Sequence, residues 1–290
     1  MPKTVKAKLL LGWMTQHEAL EALDSCVFDE HLNRRKAVAL WKEYKDRVLA
    51  LEPRNPVHLP TIALTAGEQA AIDDHIRRIN ASPNGRFAPQ VLKVDPGEMV
   101  AKQFHVLTDR SEQYAQEMRH ESNRINYCLG VGLQFNGQLV FRQSGVNRID
   151  VDLPHPEYII IPSQAGLQTN FQFQERDRYI LAVRTPGDRL LLWGGYHRTH
   201  AVLCHMAGEA AGVAPLLTVM TGIPEVELFF ARPSPVRDSV LGDRPALLRD
   251  FLDENLFMTV NLRKRRARGR IEQLRPGKFR WKIELVNDDT

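Results

Sequence analysis

The chain reads as an α+β protein, with a helical first third followed by a mostly antiparallel sheet that carries one strand–Gly-Gly–helix element. Three observations predict this. Apolar residues recur at helical spacing in the first third, short strand-like runs dominate from Phe87 onward, and those strands follow one another as a meander instead of alternating with helices.

The helices come first. Thr15 precedes Gln16–Leu23 as a cap residue, because its hydroxyl can take a free amide of the first turn. Asp29–Leu51 sets Leu32, Ala37, Leu40, Trp41, Tyr44, Val48 and Leu51 on one stripe. Trp41 and Tyr44 read as core within that stripe, not as a ligand-stacking pair. Pro53, Pro56 and Pro60 make Glu52–Pro60 a connector. Thr65 and Glu68 have capping-box spacing and open a helix that runs to about Asn80.

Strands follow. Val100–Leu107 is one, and a polar helix over Ser111–Arg119 comes next. Asn136-Gly137, between Tyr127–Phe135 and Gln138–Gln143, predicts a hairpin, since both residues tolerate the positive φ of a two-residue turn. Tyr158–Ile161, Thr169–Phe173, Arg178–Val183 and Arg189–Trp193 continue the meander. Gln168, Asn170, Gln172 and Gln174 alternate with Phe171 and Phe173, which gives a solvated outer face. After a helix from Tyr196, Leu216–Met220 and Glu227–Phe230 read as strands, Ala231–Pro245 as a loop and Ala246–Phe257 as a helix. Gly269–Leu274 and Lys278–Val286 form a closing hairpin, with Phe279, Trp281, Ile283 and Leu285 on one face and Arg280, Lys282 and Glu284 on the other. The predicted divisions are a helical region over 1–85, an α+β core over 86–260 and a basic hairpin over 261–290.

Composition bounds the class. With 43% hydrophobic and 26% charged residues, a chain of 290 residues can bury a sizeable core. No run approaches the ~20 apolar residues that span a bilayer. The apolar patch after the first lysines is too short for a secretory leader, so a cytoplasmic protein with no membrane partner is expected. Cys26, Cys128 and Cys204 are far apart and odd in number, which predicts reduced, buried thiols instead of a disulfide framework or a CxxC knuckle. Gly130-Val131-Gly132 leads into no helix and is not a dinucleotide fingerprint, and no P-loop, GxSxG elbow or Ser-His-Asp signature occurs. Nothing in these motifs names a cofactor, which stays unknown.

The charge is local. Asn261–Lys282 holds ten basic residues and one acid, a net +9, against +4 for the whole chain, which leaves the remainder near −5. Arg263, Lys264, Arg265, Arg266, Arg268, Arg270 and Arg280 are therefore candidate contacts for a nucleic acid, with Phe279 and Trp281 near enough to stack on unpaired bases. A solvated face and an acidic protein partner are the other two readings of this segment.

Leu190–Met206 is the candidate site. An apolar strand, the pair Gly194-Gly195 and a helix from Tyr196 aim free amides and a positive helix end at one place, which suits an anion. Gly194, Gly195, Tyr196, His197 and Arg198 are the candidate ligand-binding residues, with Arg198 adding a planar fork suited to phosphate oxygens. Were catalysis to occur, His197 would do acid–base work and Arg198 would stabilise charge. Gly194-Gly195-Tyr196-His197-Arg198, with Ala201 following, resembles the GxHR-type box of the ParB/sulfiredoxin-like superfamily and its relatives with a DGQHR box. That resemblance covers about a dozen residues and implies a strand–turn–helix that contacts nucleotide phosphates. Tyr196 stands where the sulfiredoxin form has its catalytic cysteine, so sulfinic-acid reduction is not implied.

Three readings stand. The leading one is a nucleotide- or nucleic-acid-associated protein with no assigned metal. The second is a metal-dependent enzyme using His197, His200 and Cys204, which share one helical face at i, i+3 and i+7. The third is a non-catalytic interaction module that docks a protein partner through the N-terminal helices. A further polar cluster, His105, Asp109, Arg110 and Glu112, marks a strand-to-helix junction at which Asp109 is expected to cap the helix.

Overall fold

A computed structural model describes residues 3–28, 32–54, 62–80, 90–120, 127–128, 140–145, 148–153, 158–165, 168–175, 180–206, 216–220, 224–275 and 278–287. The protein is α+β, and its sheet pairings are mostly antiparallel. Contacts divide the chain into two compact units, each discontinuous in sequence: a larger one over Val5–Gly132 and Arg178–Leu262, and a smaller one over Met1–Thr4, Leu133–Asp177 and Arg263–Thr290.

The larger unit holds the helices. α1 (Gln16–Asp24) starts at a reciprocal capping box, in which Thr15 and Glu18 each accept from the other's main-chain N–H. α2 (Arg34–Leu49) is capped by Asn33 and buries Ala37, Tyr44 and Val48. Trp41 donates its indole N–H to the Met14 carbonyl, so the stripe read from sequence is core. α3 (Ala66–Asn80) carries the second capping box, Thr65 with Glu68.

Two sheets position the site. In the first, β1 (Thr4–Leu9) lies between β4 (His105–Leu107) and β12 (Met258–Arg263). The second has the order β2-β11-β9-β10-β3, formed by β2 (Gln90–Val94), β3 (Val100–Ala101), β9 (Leu181–Arg184), β10 (Leu190–Gly194) and β11 (Leu216–Met220). Here β10 runs parallel to β3 and antiparallel to β9. α4 (Thr108–His120) and α5 (Tyr196–Met206) pack on each other and on β4, while α6 (Pro224–Ala231) and α7 (Pro235–Leu241) join the core of the second sheet. Val100, Val183, Leu191, Val226, Val240 and Leu247 form one core cluster, covered by Trp193, Phe229 and Phe230.

The smaller unit is all β. β5 (Val140–Gly145), β6 (Arg148–Leu153), β13 (Arg265–Arg275) and β14 (Lys278–Asn287) form a four-stranded antiparallel sheet of order β14-β13-β6-β5. β7 (Tyr158–Ala165) and β8 (Gln168–Glu175) form a separate hairpin.

Several expectations are corrected. Glu227–Phe230 is helical: Pro224 opens α6 at a position where its missing N–H costs nothing, and a short apolar run cannot tell strand from helix by period alone. The loop expected over Ala231–Pro245 contains α7, capped by Ser234 with Pro235 behind it. Of the helix expected over Ala246–Phe257, only a 3-10 segment at Leu248–Leu252 forms, and β12 follows. Val100–Leu107 is split into β3 and β4, because Lys102 and Gln103 turn their N–H groups to a side chain. Tyr127 and Cys128 are helical rather than strand, and the expected Asn136-Gly137 turn lies outside the described residues. The opening strand β1 carried no period strong enough to read. The basic C-terminal hairpin is no separate appendage, since β13 pairs with β6 along Ala267–Glu272.

Candidate functional site

The glycine turn forms because its sequence allows nothing else there. Leu190, Leu191 and Leu192 are fully buried in β10. The chain then reverses at Gly195, whose φ is +86°, a left-handed conformation that a side chain disfavours. A Cβ at Gly195 would also lie 3.1 Å from the Ile180 Cα.

Tyr196 locks the turn. Its hydroxyl donates to the Leu192 carbonyl at 2.6 Å and accepts from the N–H groups of Lys102 and Gln103 at 2.7 and 3.1 Å. Those amides have left the β3 ladder, so one phenol closes three main-chain groups. Burial pushes its pKa up, and it stays a neutral hydroxyl. Tyr196 is thus a structural staple, and its hydroxyl is already committed.

Arg198 points inward. It is 4% exposed, and Nη1 donates to the Tyr127 carbonyl at 2.9 Å. The Tyr127 hydroxyl in turn reaches the Arg198 carbonyl at 3.5 Å. The expectation that this guanidinium presents its fork to an incoming phosphate is corrected, as is its role in stabilising charge. The side chain spends its donors on the protein interior, where leaving them unpaired would be costly. Thr199 is fully buried and bonds back to the Gly195 carbonyl at 3.0 Å.

His197 behaves differently. Its Nε2 is shielded from solvent and has no hydrogen-bond partner among the described residues. Burial, then the charge of Arg110 and the imidazoles of His105 and His200, lowers its pKa to about 3. The ring is therefore neutral at pH 7 and too weak a base for ordinary acid–base work. Arg110 sits in the first turn of α4 and His105 on β4, so the beginnings of α4 and α5 meet at His197. Arg110 also bonds the Tyr114 hydroxyl at 3.3 Å. Asp109 does not cap α4; it lies within the helix, and its carboxylate accepts from the Lys6 N–H at 3.3 Å.

The proposed metal face does not assemble. His200 is 2% exposed and packs edge-on against Phe251, with ring centroids 6.0 Å apart. The Cys204 sulfur lies 3.6 Å from its ring nitrogens. Among the described residues, no three His, Cys, Asp or Glu side chains converge on one point. Burial and the nearby Lys8 lower the His200 pKa to about 4, while burial raises that of Cys204. The pair holds a thiol beside a neutral imidazole, the opposite of an activated thiolate. The apolar stripe of α2 packs inward, since the Tyr44 hydroxyl bonds the Phe257 carbonyl and Val48 packs beside Gly12.

The basic segment is a structured sheet. Arg263 and Lys264 are exposed where β12 passes into β13, which begins with Arg265 and Arg266. Arg268 and Arg270 are partly buried, and Arg280 is exposed. Arg270 bonds Asp150 at 3.2 Å and Glu284 at 3.1 Å. Arg148 meets the same Asp150 at 3.2 Å. Sequence reasoning missed Asp150 because it lies 120 positions from Arg270. His105 and Arg110 stood out in sequence as a polar junction, but nothing local tied them to His197.

No family model, curated protein or solved structure matches the chain. No helix of the described residues is long and apolar enough to cross a membrane.

Proposed function

We propose that this is a nucleotide- or nucleic-acid-associated protein that receives a phosphate group at the start of α5, through His197 and the amides beside it. The observation that carries this reading is the unpartnered, solvent-shielded Nε2 of His197. Buried polar nitrogens are almost always hydrogen-bonded, and an exception calls for a missing ligand, ion or water. The first-turn amides of α5 have no carbonyl within the helix to bond, and they add the positive end of its dipole. The other groups that act on His197 are Arg110, His105 and His200, none of them an acid. An oxyanion meets every one of these conditions. It would take a hydrogen bond at Nε2, sit at a helix start and balance the charge of Arg110.

The strand, glycine turn and helix around Gly194 and Gly195 are also the arrangement implied by the resemblance to the ParB/sulfiredoxin-like box. The residue roles differ from that expectation. Tyr196 and Arg198 build the turn, and His197 meets the ligand.

Thermal shift tests the reading. Inorganic phosphate and nucleoside mono-, di- and triphosphates are titrated against wild type, His197→Ala and Arg110→Ala. A ligand of the folded state raises Tm with the logarithm of its concentration. The expected result is a shift in wild type that is abolished in His197→Ala and reduced in Arg110→Ala. Equal shifts in all three proteins, or none in wild type, overturn the proposal.

A further inference from the structure

We infer that the charged face of the β14-β13-β6-β5 sheet docks the phosphate backbone of a nucleic-acid duplex, without reading its sequence. This rests on the nucleic-acid reading above but uses a different surface and different residues.

The register defines the face. Three lateral rows share it: Val140, Asp152, Arg268 and Glu284; then Arg142, Asp150, Arg270 and Lys282; then Arg148, Glu272 and Arg280. Cross-strand partners share a face, so these rows stand side by side. The hairpin end adds Arg275 opposite Lys278. The alternate rows are mostly apolar, with Phe141, Val151, Gly269 and Ile283 in one and Gln143, Ile149, Ile271 and Trp281 in the other. Val151 and Ile271 are 0% and 4% exposed, which marks that side as the buried one.

Arg270 and Arg148 hold Asp150, and Arg270 and Lys282 hold Glu284. Arg275, Lys278 and Arg280 are exposed to solvent, and so are Arg142 and Lys282, although both also interact within the protein. The result is a net-positive face, and a polyanion is its complement. Arg142, from β5, belongs to it although the C-terminal charge run does not contain it.

The same register argues for a duplex over a single strand. Proteins that hold single strands stack bases on aromatic side chains. By register, the charged rows hold arginine, lysine, aspartate and glutamate but no aromatic residue. What they offer is charge neutralisation, which grows with the phosphate density of the partner.

Fluorescence anisotropy tests this, using the full chain with labelled random-sequence duplex DNA, duplex RNA and single strands over a range of salt. A protein that neutralises about five phosphates loses affinity with a log–log salt slope of about −4 on duplex DNA. The expected result is duplex binding with a slope near that value, no preference for single strands, and a slope shallower by about 2 in the Arg280→Ala/Lys282→Ala variant. That variant keeps the wild-type response to nucleotides, whereas His197→Ala keeps duplex binding, so failure of one proposal is told from failure of the other. Arg280→Lys/Lys282→Arg, which preserves charge, restores the slope. Absence of binding to either duplex, tighter binding to single strands, an unchanged slope in the alanine variant, or binding of polyglutamate in place of nucleic acid overturns the inference.

Discussion

Arg198 and Tyr127 hold each other across 71 positions of sequence: the guanidinium donates to the tyrosine carbonyl at 2.9 Å, and the phenol reaches back to the arginine carbonyl at 3.5 Å. A charged donor committed to a main-chain acceptor in the interior ties the helical segment at Tyr127 to the first turn of α5. Arg198→Ala would remove that donor and leave a void beside the carbonyl, at a cost of about 2–3 kcal/mol. Denaturant unfolding measures the loss. The response of the variant to nucleotides stays as in wild type, and a response lost with the fold intact would place Arg198 on the ligand after all.

Tyr196→Phe removes one oxygen and strands three main-chain groups, the N–H groups of Lys102 and Gln103 and the carbonyl of Leu192. The expected destabilisation is about 2–4 kcal/mol, read as a lower midpoint at an unchanged slope in urea. A variant within half a kcal/mol of wild type would mean that these groups find water instead.

Gly195→Ala meets two penalties. The residue sits at φ +86°, where a side chain costs about 1–2 kcal/mol. The new Cβ also presses on the Ile180 main chain at 3.1 Å. Unfolding by heat should show a Tm several degrees lower, consistent with a loss of about 2–3 kcal/mol. Gly194→Ala is the milder change, since its Cβ would touch only the Leu181 side chain at 3.6 Å.

Arg54 and Asp250 form a second buried pair, bonded through both nitrogens at 2.6 and 2.8 Å, while Asp250 also accepts from the Leu247 N–H. Arg54→Ala leaves a carboxylate that is 3% exposed without its counter-charge. The expected loss is about 3–5 kcal/mol in chemical unfolding. Arg54→Met combined with Asp250→Asn should recover part of it.

Stability should fall in acid for a stated reason. His197 and His200 have folded pKa values of about 3 and about 4, below the ordinary value of 6.5. Between pH 6.5 and those values the unfolded chain takes up protons that the folded one refuses. Unfolding is therefore favoured as pH drops, by about 1.4 kcal/mol per unit for each histidine. His197 faces Arg110, His105 and His200, and His200 faces Lys8, so no acid opposes the effect. Urea midpoints measured from pH 7 to pH 4 should decline in wild type and decline less steeply in His200→Gln, where only His197 remains. Saturating phosphate should restore part of the loss through His197, because a bound anion favours the protonated ring.

The sequence by itself determined the local features. Thr15 as a cap and Thr65 with Glu68 as a capping box marked two helix starts, because caps close within three residues. The α2 stripe, the strand–glycine–helix at Leu190–Met206 and the two faces of the C-terminal hairpin were legible too, since each follows from a period or a turn that neighbours impose. Only tertiary structure decided which way the site residues point. Arg198 turns inward because an acceptor 71 positions away is waiting for it, and His197 is left unpaired because β4 and α4 bring His105 and Arg110, not a carboxylate, against it. The same is true of the basic hairpin, where Asp150 arrives from β6 to match Arg270. Period and capping act over a few residues, whereas a side chain's partner is chosen by the packing of distant segments. The fold class was therefore written along the chain, and the chemistry of the site was settled across it.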